Sequence, residues 1–372
     1  MSTVTMFLNR RLKKSPYEQR AMEHGATLFS LYNKMTLPMV YGSWEKTYEH
    51  LCEHVQLWDV ACQRQVEIVG PDALRLTELI TPRDVSRCAV GQCLYAPLCD
   101  ENGGIMNDPI ILRLAEDRFW LSIADSDVCF WVKGVAYGRG FDVRVFEPDV
   151  SPLAIQGPKA DDLMAEAVGE HTRDIRFFWF IDETVVGTPV KIARSGWSGQ
   201  GGFEVYLQDS SKGNELWDFF WDVGQKYNVG AGAPNLIERL ETGLKSYGAD
   251  MTIEHNPFEA SLEPYIDVDK EAEYMCRDVL VRVRDEGPAR RLVKIFIEGD
   301  LLPDMRYDWP VFEHDGNQVG IVTSKAWSQK FDTNFAFAMI DAPHMVPGST
   351  LRVDADGEIR GVVVRRDNWE AA

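Results

Sequence analysis

Leu153-Ala154-Ile155-Gln156-Gly157-Pro158-Lys159-Ala160 reads as a buried strand, a glycine–proline turn and the opening of a helix. Proline has the φ of a first helical turn, and the glycine before it reaches conformations closed to other residues. The same grammar stands earlier at Val69-Gly70-Pro71-Asp72-Ala73, which follows the strand-like Gln65-Val66-Glu67-Ile68 and precedes a helix whose apolar face is Leu74, Leu76, Leu79 and Ile80. Two such joints predict a paired α+β architecture. Between them, residues 93–99 pair as a hairpin with 105–114 across Asp100-Glu101-Asn102-Gly103-Gly104, followed by a strand over 118–123, a helix over 127–137 and a strand over 142–146. After the second joint come strands over 185–195 and 202–207, then helices over 212–227 and 234–247. Beyond an acidic, proline-bearing connector, residues 290–366 break into short strands with turns such as Asp315-Gly316-Asn317 and Ala355-Asp356-Gly357, a small β-barrel or sandwich.

The chain has 372 residues, 45% of them hydrophobic, enough for a sizeable core and two or three domains. Its 39 basic and 58 acidic residues give a net charge of −19, which argues against nucleic acid and anionic membranes as main partners and tolerates a cationic substrate. An anionic cofactor would need a local basic lining. The cysteines at 52, 62, 88, 93, 99, 129 and 276 are odd in number and form no C-x-x-C pair, so neither a disulfide framework nor a zinc site is indicated. A reducing cytoplasm is the expected compartment. The N-terminus, with its short basic stretch over 9–14, lacks a long apolar region, and no apolar run approaches membrane-spanning length.

Four segments carry chemistry or imitate it. Asp108, in Gly103-Gly104-Ile105-Met106-Asn107-Asp108-Pro109-Ile110-Ile111-Leu112, is a carboxylate set into an apolar strand, where it either satisfies backbone groups or does chemistry. His50-Leu51-Cys52-Glu53-His54 matches the H-x-x-E-H zinc-protease pattern, but no further ligand follows at convincing spacing, so no metal is expected. Ser195-Gly196-Trp197-Ser198-Gly199-Gln200-Gly201-Gly202-Phe203-Glu204-Val205-Tyr206 lacks the lysine of a phosphate loop. Its glycines let backbone approach a flat ligand, with Trp197 and Tyr206 offering ring faces and Glu204 a two-oxygen acceptor; the competing reading is a flexible hairpin with a solvated glutamate. In the helix over 234–247, Leu236, Ile237, Leu240 and Leu244 share a face that Arg239 and Glu241 flank, as a solvated pair or as the lining of a cleft at a domain junction.

Taken together the chain resembles the folate-dependent aminomethyltransferase family of the glycine cleavage system. The matching segments, in family order, are Leu57-Trp58-Asp59-Val60, the Gly103-Gly104 to Asp108 hairpin, Leu153 to Ala160, the loop from Gly196 to Glu204, Arg239-Leu240-Glu241 with Tyr247-Gly248, and Gly320-Ile321-Val322-Thr323-Ser324. The resemblance implies an α+β, three-domain cloverleaf around a central hole that holds tetrahydrofolate. Its parts are a discontinuous folate-binding domain over 1–60 and 147–270, a ferredoxin-like domain over 61–146 and a C-terminal β-barrel over 285–372. Within the family the chain is similar to the dimethylsulfoniopropionate demethylase branch. Asn107-Asp108 stands where two aspartates are usual, Ser198-Gly199-Gln200-Gly201-Gly202 replaces a Thr-Gly-Glu-Asp-Gly form, and Pro234-Asn235 replaces an Arg-Asp pair. Tyr32-Asn33-Lys34-Met35, Thr81-Pro82-Arg83-Asp84 and residues 122–127 also look like that branch, whereas Gly199 and Phe203 depart from it.

What the resemblance implies is methyl transfer from a sulfonium cation to N5 of tetrahydrofolate, with Asp108 as the catalytic carboxylate. Tyr95, Asp108, Glu204 and Arg239 match cofactor-cleft positions, and Tyr32, Trp197 and Tyr206 are the expected aromatic surround of the cation. The partners expected are folate and a small sulfonium, with a homodimer as one possible assembly. Two alternatives stay open: an aminomethyltransferase or amine demethylase forming 5,10-methylenetetrahydrofolate, and a non-catalytic folate-binding protein of iron–sulfur cluster maintenance. The second alternative expects a cysteine motif that Tyr274-Met275-Cys276-Arg277-Asp278 does not match.

Overall fold

The computed structural model describes residues 9–305 and 307–365; the first residues of the N-terminal segment read above lie outside them. Three sheets, each with its own apolar core, organise the chain. The first has six strands in the order Phe180–Val185, Thr188–Ala193, Gly202–Leu207, Ser151–Gln156, Val55–Asp59 and Val229–Gly232, antiparallel except for the last pair. Alternation sends Leu57, Leu153, Ile155, Phe203 and Val205 to one face, where helices Ala160–Ala167 and Gly213–Gly224 cover them with Leu163, Trp217 and Phe220. The other face, bearing Trp58, Ala154, Glu204 and Tyr206, is left for a second sheet.

That second sheet runs Arg144–Phe146, Gln65–Val69, Arg118–Ser122, Ile110–Ala115 and Cys93–Tyr95, all antiparallel. Val66, Ile68, Ile111, Phe119 and Leu121 pack under helices Ala73–Leu79 and Val128–Arg139. The opposite face meets the first sheet, with Cys93, Leu112 and Trp120 against Phe180, Ala193 and Tyr206. The two glycine–proline joints have one cause. Gly70 and Gly157 have φ of +142° and +121°, and a Cβ would lie 2.5 Å from the Asp142 carbonyl oxygen and 2.3 Å from that of His54.

Residues 290–364 form a closed six-stranded barrel in the order Arg290–Ile297, Thr333–Asp341, Gln318–Ser328, Trp309–Phe312, Thr350–Ala355 and Glu358–Val364, which decides between barrel and sandwich. Closure leaves no unpaired edge.

The structure revises three local expectations. The helix over 234–247 shrinks to Leu236–Thr242, because Gly243 turns left-handed at φ 82° and ends it. Leu244 therefore falls outside it, and Leu236 is 38% exposed rather than on the apolar face. The hairpin over 93–114 divides into two ladders, Cys93–Tyr95 with Ile110–Ala115 and Leu98–Cys99 with Ile105–Asn107. Pro97 and Pro109, which have no amide hydrogen to give, occupy the break. The hairpin Ala26–Tyr32 with Met35–Tyr41 and the strand Phe180–Val185 carried no clear signal.

Candidate active site

Asp108 is not inside a strand; it sits half-buried at the break between the two ladders. Tyr95 projects from the same face of its strand as Cys93, and its hydroxyl donates to Asp108 Oδ2 at 2.9 Å. Tyr265 holds the Tyr95 ring edge-on, with centroids 4.8 Å apart. Burial pushes the Asp108 carboxyl up to about 7, opposed by the Tyr95 hydroxyl, with nearby Asp250 adding to the rise. A carboxyl so placed is close to half-ionised at neutral pH. Tyr32 and Tyr247 lie close enough that, after burial, the Asp108 charge raises both phenols further. Tyr247 belongs to the cluster although its sequence carried no signal beyond the family match.

Glu204 lies on the six-stranded sheet, on the face that meets the second sheet. Reading straight across the sheet, Phe180, Ala193, Glu204, Ala154 and Trp58 form one row on one face. The carboxylate is therefore flanked by two methyl side chains, with aromatic rings beyond them. Ala154 packs with Leu51 and Trp58, and Ala193 with Cys93, Leu112 and Trp120, so the carboxylate is enclosed by small and apolar neighbours. Ser195 Oγ donates to Glu204 Oε2 at 2.5 Å and the Tyr206 hydroxyl donates to the same oxygen at 3.2 Å. Burial raises the Glu204 carboxyl and these two donors oppose the rise. Tyr206 is fully buried between the sheets. Its visible contact is with Glu204, not with an open cleft, so the ring has no free face to wrap a cation here.

Gly196, Gly199 and Gly202 serve close packing of protein on protein, whereas Gly201 faces open space at φ 78°. A Cβ on Gly196 would lie 2.1 Å from Gln156 Oε1, and one on Gly199 would lie 2.1 Å from Thr242 Cγ2. Gln156 in turn accepts from Ser198 Oγ at 2.7 Å and donates to the Ser195 and Phe203 carbonyls at 3.2 Å each. The loop is thus clamped, and the reading of a flexible hairpin with a solvated glutamate does not hold. Trp197 lies beside Arg239, whose guanidinium carbon is 5.7 Å from the ring centroid.

Arg239 is 3% exposed and pairs with Asp250 while also donating to Ser324 Oγ. Asp250 Oδ1 accepts from Thr323 Oγ1 at 2.8 Å and Ser324 Oγ at 2.6 Å, so the pair joins helix Leu236–Thr242 to the barrel. Glu241, on the same helix, accepts from the Tyr48 hydroxyl at 2.6 Å and from Ser328 Oγ at 2.7 Å. Both charges lie at a domain junction and neither is a solvated surface pair.

His50 and His54 have ring centroids 5.0 Å apart, and Lys159 Nζ lies 2.9 Å from His54 Nδ1. No group of three or more His, Cys, Asp or Glu side chains arranged for a metal occurs among the described residues. No helix among them is long and apolar enough to cross a membrane. Phe178 escaped the sequence reading: it holds φ 59°, costly for a bulky residue, while packing against the cluster of Cys93, Ala193 and Tyr206.

Comparison with known proteins places this geometry. Residues 17–270 match the GCVT N-terminal domain and residues 290–367 the glycine cleavage T-protein C-terminal barrel domain. The chain is 45% identical over 365 residues to dimethylsulfoniopropionate demethylase DmdA of Ruegeria pomeroyi, covering 98% of this chain and 99% of that one. It is 29% identical over 358 residues to an aminomethyltransferase of Symbiobacterium thermophilum, with 93% and 94% covered. The crystal structure of glycine cleavage system aminomethyltransferase T from Bartonella henselae superposes with a TM-score of 0.86 at 25% identity, covering 95% of this chain and 97% of that one.

Proposed function

The chain belongs to the glycine cleavage T-protein family, and we propose that it is a tetrahydrofolate-dependent demethylase that moves a methyl group from dimethylsulfoniopropionate to folate N5. The S–CH3 bond breaks as the N5–CH3 bond forms, and the products are methylmercaptopropionate, 5-methyltetrahydrofolate and the proton lost from N5. The observation that carries this reading is the end-to-end similarity to the demethylase relative, stronger than that to the aminomethyltransferases. The residues suit a flat ligand with an N–H edge, because Glu204 is a carboxylate set between Ala154 and Ala193 whose one oxygen is held by Ser195 and Tyr206.

Bound tetrahydrofolate supplies the nucleophilic nitrogen that takes the methyl group. A sulfonium brings its own neutral leaving group, so the protein needs little acid–base chemistry and acts mainly by alignment and by excluding water. Glu204 accepts the paired N–H donors of the pterin ring and fixes its orientation. Asp108, held by Tyr95, supplies negative charge where positive charge develops as the methyl arrives. Tyr32 and Tyr247, both near Asp108, are the rings best placed for the cation. Trp197 already has the Arg239 guanidinium near its ring, and Tyr206 acts through Glu204. Arg239 acts through Asp250, which lies near Asp108, and through Trp197, and serves as a positioning residue.

The deciding experiment supplies tetrahydrofolate with dimethylsulfoniopropionate, glycine betaine, dimethylglycine or sarcosine and reads the folate products by mass. The expected result is 5-methyltetrahydrofolate from the sulfonium. Turnover of the amines to 5,10-methylenetetrahydrofolate, with none of the sulfonium, overturns the reading in favour of an aminomethyl or amine-demethylating enzyme.

A further inference from the structure

We infer that Asn107 is a positioning residue that, together with Asn33, locks residues 124–126 between the strand end leading to Asp108 and the hairpin tip carrying Tyr32. Asn107 Nδ2 donates to the Ala124 carbonyl at 3.0 Å and to Ser126 Oγ at 2.9 Å, while its Oδ1 accepts from the Ala124 amide at 2.9 Å. Ser126 Oγ passes the contact back to the Met106 carbonyl at 3.0 Å. From the other side, Asn33 Nδ2 donates to the same Ala124 carbonyl at 3.0 Å and to the Cys62 carbonyl at 3.0 Å, and Asn33 Oδ1 accepts from the Ser126 amide at 3.2 Å. The Asn33 amide itself donates to Asp125 Oδ1 at 2.7 Å. Both asparagines are buried, at 0% and 4% exposure, so neither is free to trade these bonds for water.

The chemistry requires amides. Each side chain must donate and accept at once, which an ionised carboxylate of the same shape cannot do. An aspartate at 107 would set negative oxygen against the Ala124 carbonyl and remove one of that carbonyl's two side-chain amide donors, leaving Asn33 as the other. The tip is equally constrained: Asn33 and Lys34 hold φ of 50° and 60°, as a two-residue turn between twisted strands demands, and asparagine tolerates that conformation. The lock spans two separately packed bodies. Tyr32 and Met35 pack with the core of the six-stranded sheet, whereas Val128 and Ile123 belong to the core of the five-stranded one. Asp108 directly follows Asn107 and Tyr32 directly precedes Asn33, so the lock fixes the distance between carboxylate and ring, the two walls of the donor side.

This rests on the demethylase reading for its kinetic readout. Asn107→Asp is expected to raise KM for dimethylsulfoniopropionate about tenfold or more while leaving the Kd of tetrahydrofolate within about twofold. Asn33→Asp should give the same split. A parallel rise of both constants with a lowered Tm, or no change in either, overturns the proposal. Amide hydrogen exchange at Asn33, Ala124 and Ser126 provides the independent arm. Asn107→Asp should speed exchange at Asn33, a residue it does not touch, and unchanged exchange there overturns the lock. If the wild-type chain turns over no sulfonium, the demethylase reading fails, and the exchange result still decides the lock.

Discussion

Asp108 is half-buried and Glu204 buried, and the two carboxylates have different supports. Asp108 has the single Tyr95 hydroxyl and an ionisation held up to about 7 by burial, so its charged fraction changes across the physiological range. If the carboxylate is the working form, kcat/KM rises with pH through about 7 as it ionises, and Asp108→Asn removes that limb. The same substitution should cost about 100-fold or more in turnover and leave folate binding intact, measured by product formation and by equilibrium titration. Glu204 has two hydroxyl donors aimed at one oxygen. Glu204→Gln should weaken tetrahydrofolate by about 10- to 100-fold, since a charged hydrogen bond is lost, with a much smaller effect on the donor. Equal folate affinity in titration removes Glu204 from the pterin site. Both carboxylates were legible as odd acids in apolar strands; Tyr247 and Phe178 were not, because nothing local distinguishes a cleft tyrosine or a left-handed phenylalanine from core.

At the scale of elements, the short helix Leu236–Thr242 is fastened by charge. Removing the arginine leaves Asp250 buried and uncompensated, so Arg239→Met should lower stability by about 3 to 5 kcal/mol in denaturant titration, well beyond a surface change. A second element-level device is Asp59, at the end of strand Val55–Asp59. It accepts from Ser15 Oγ at 2.7 Å and from the Ala61 amide at 3.2 Å, tying the N-terminal segment to the sheet, and burial holds it up to about 7. A carboxyl raised on folding contributes stability fully below its unfolded pKa and loses it as pH rises to the folded value. The wild type therefore loses stability between about pH 4 and 7 from this group. Asp59→Asn lacks that loss, so its stability relative to wild type should improve by about 2 kcal/mol between pH 5 and 8, read from paired denaturant curves. A constant difference across that range rejects the assignment. The helix boundary here was misread because Gly243 looks the same in sequence whether it ends a helix or rides inside one.

For the whole molecule, the proposed site takes Glu204 from the six-stranded sheet and Asp108 from the break beside the five-stranded one, two sheets whose main cores do not merge. A ligand that touches Glu204 on one sheet and Asp108 on the other bridges separate bodies, so tetrahydrofolate should raise Tm, by about 2.7 kcal/mol of stabilisation at 100 times its Kd. Thermal scans with and without folate check this, and Glu204→Gln should largely abolish the shift. By itself the sequence determined the paired strand–turn–helix units, the all-β C-terminal part and the family, because turn glycines, alternation and motif order are written in neighbouring residues. The split of the hairpin at Asp108, the alanine neighbours of Glu204, the burial of Tyr206 and the capture of Arg239 by Asp250 were decided only by tertiary structure. Each depends on which face of one sheet meets another, and that is set by contacts between residues far apart in the chain.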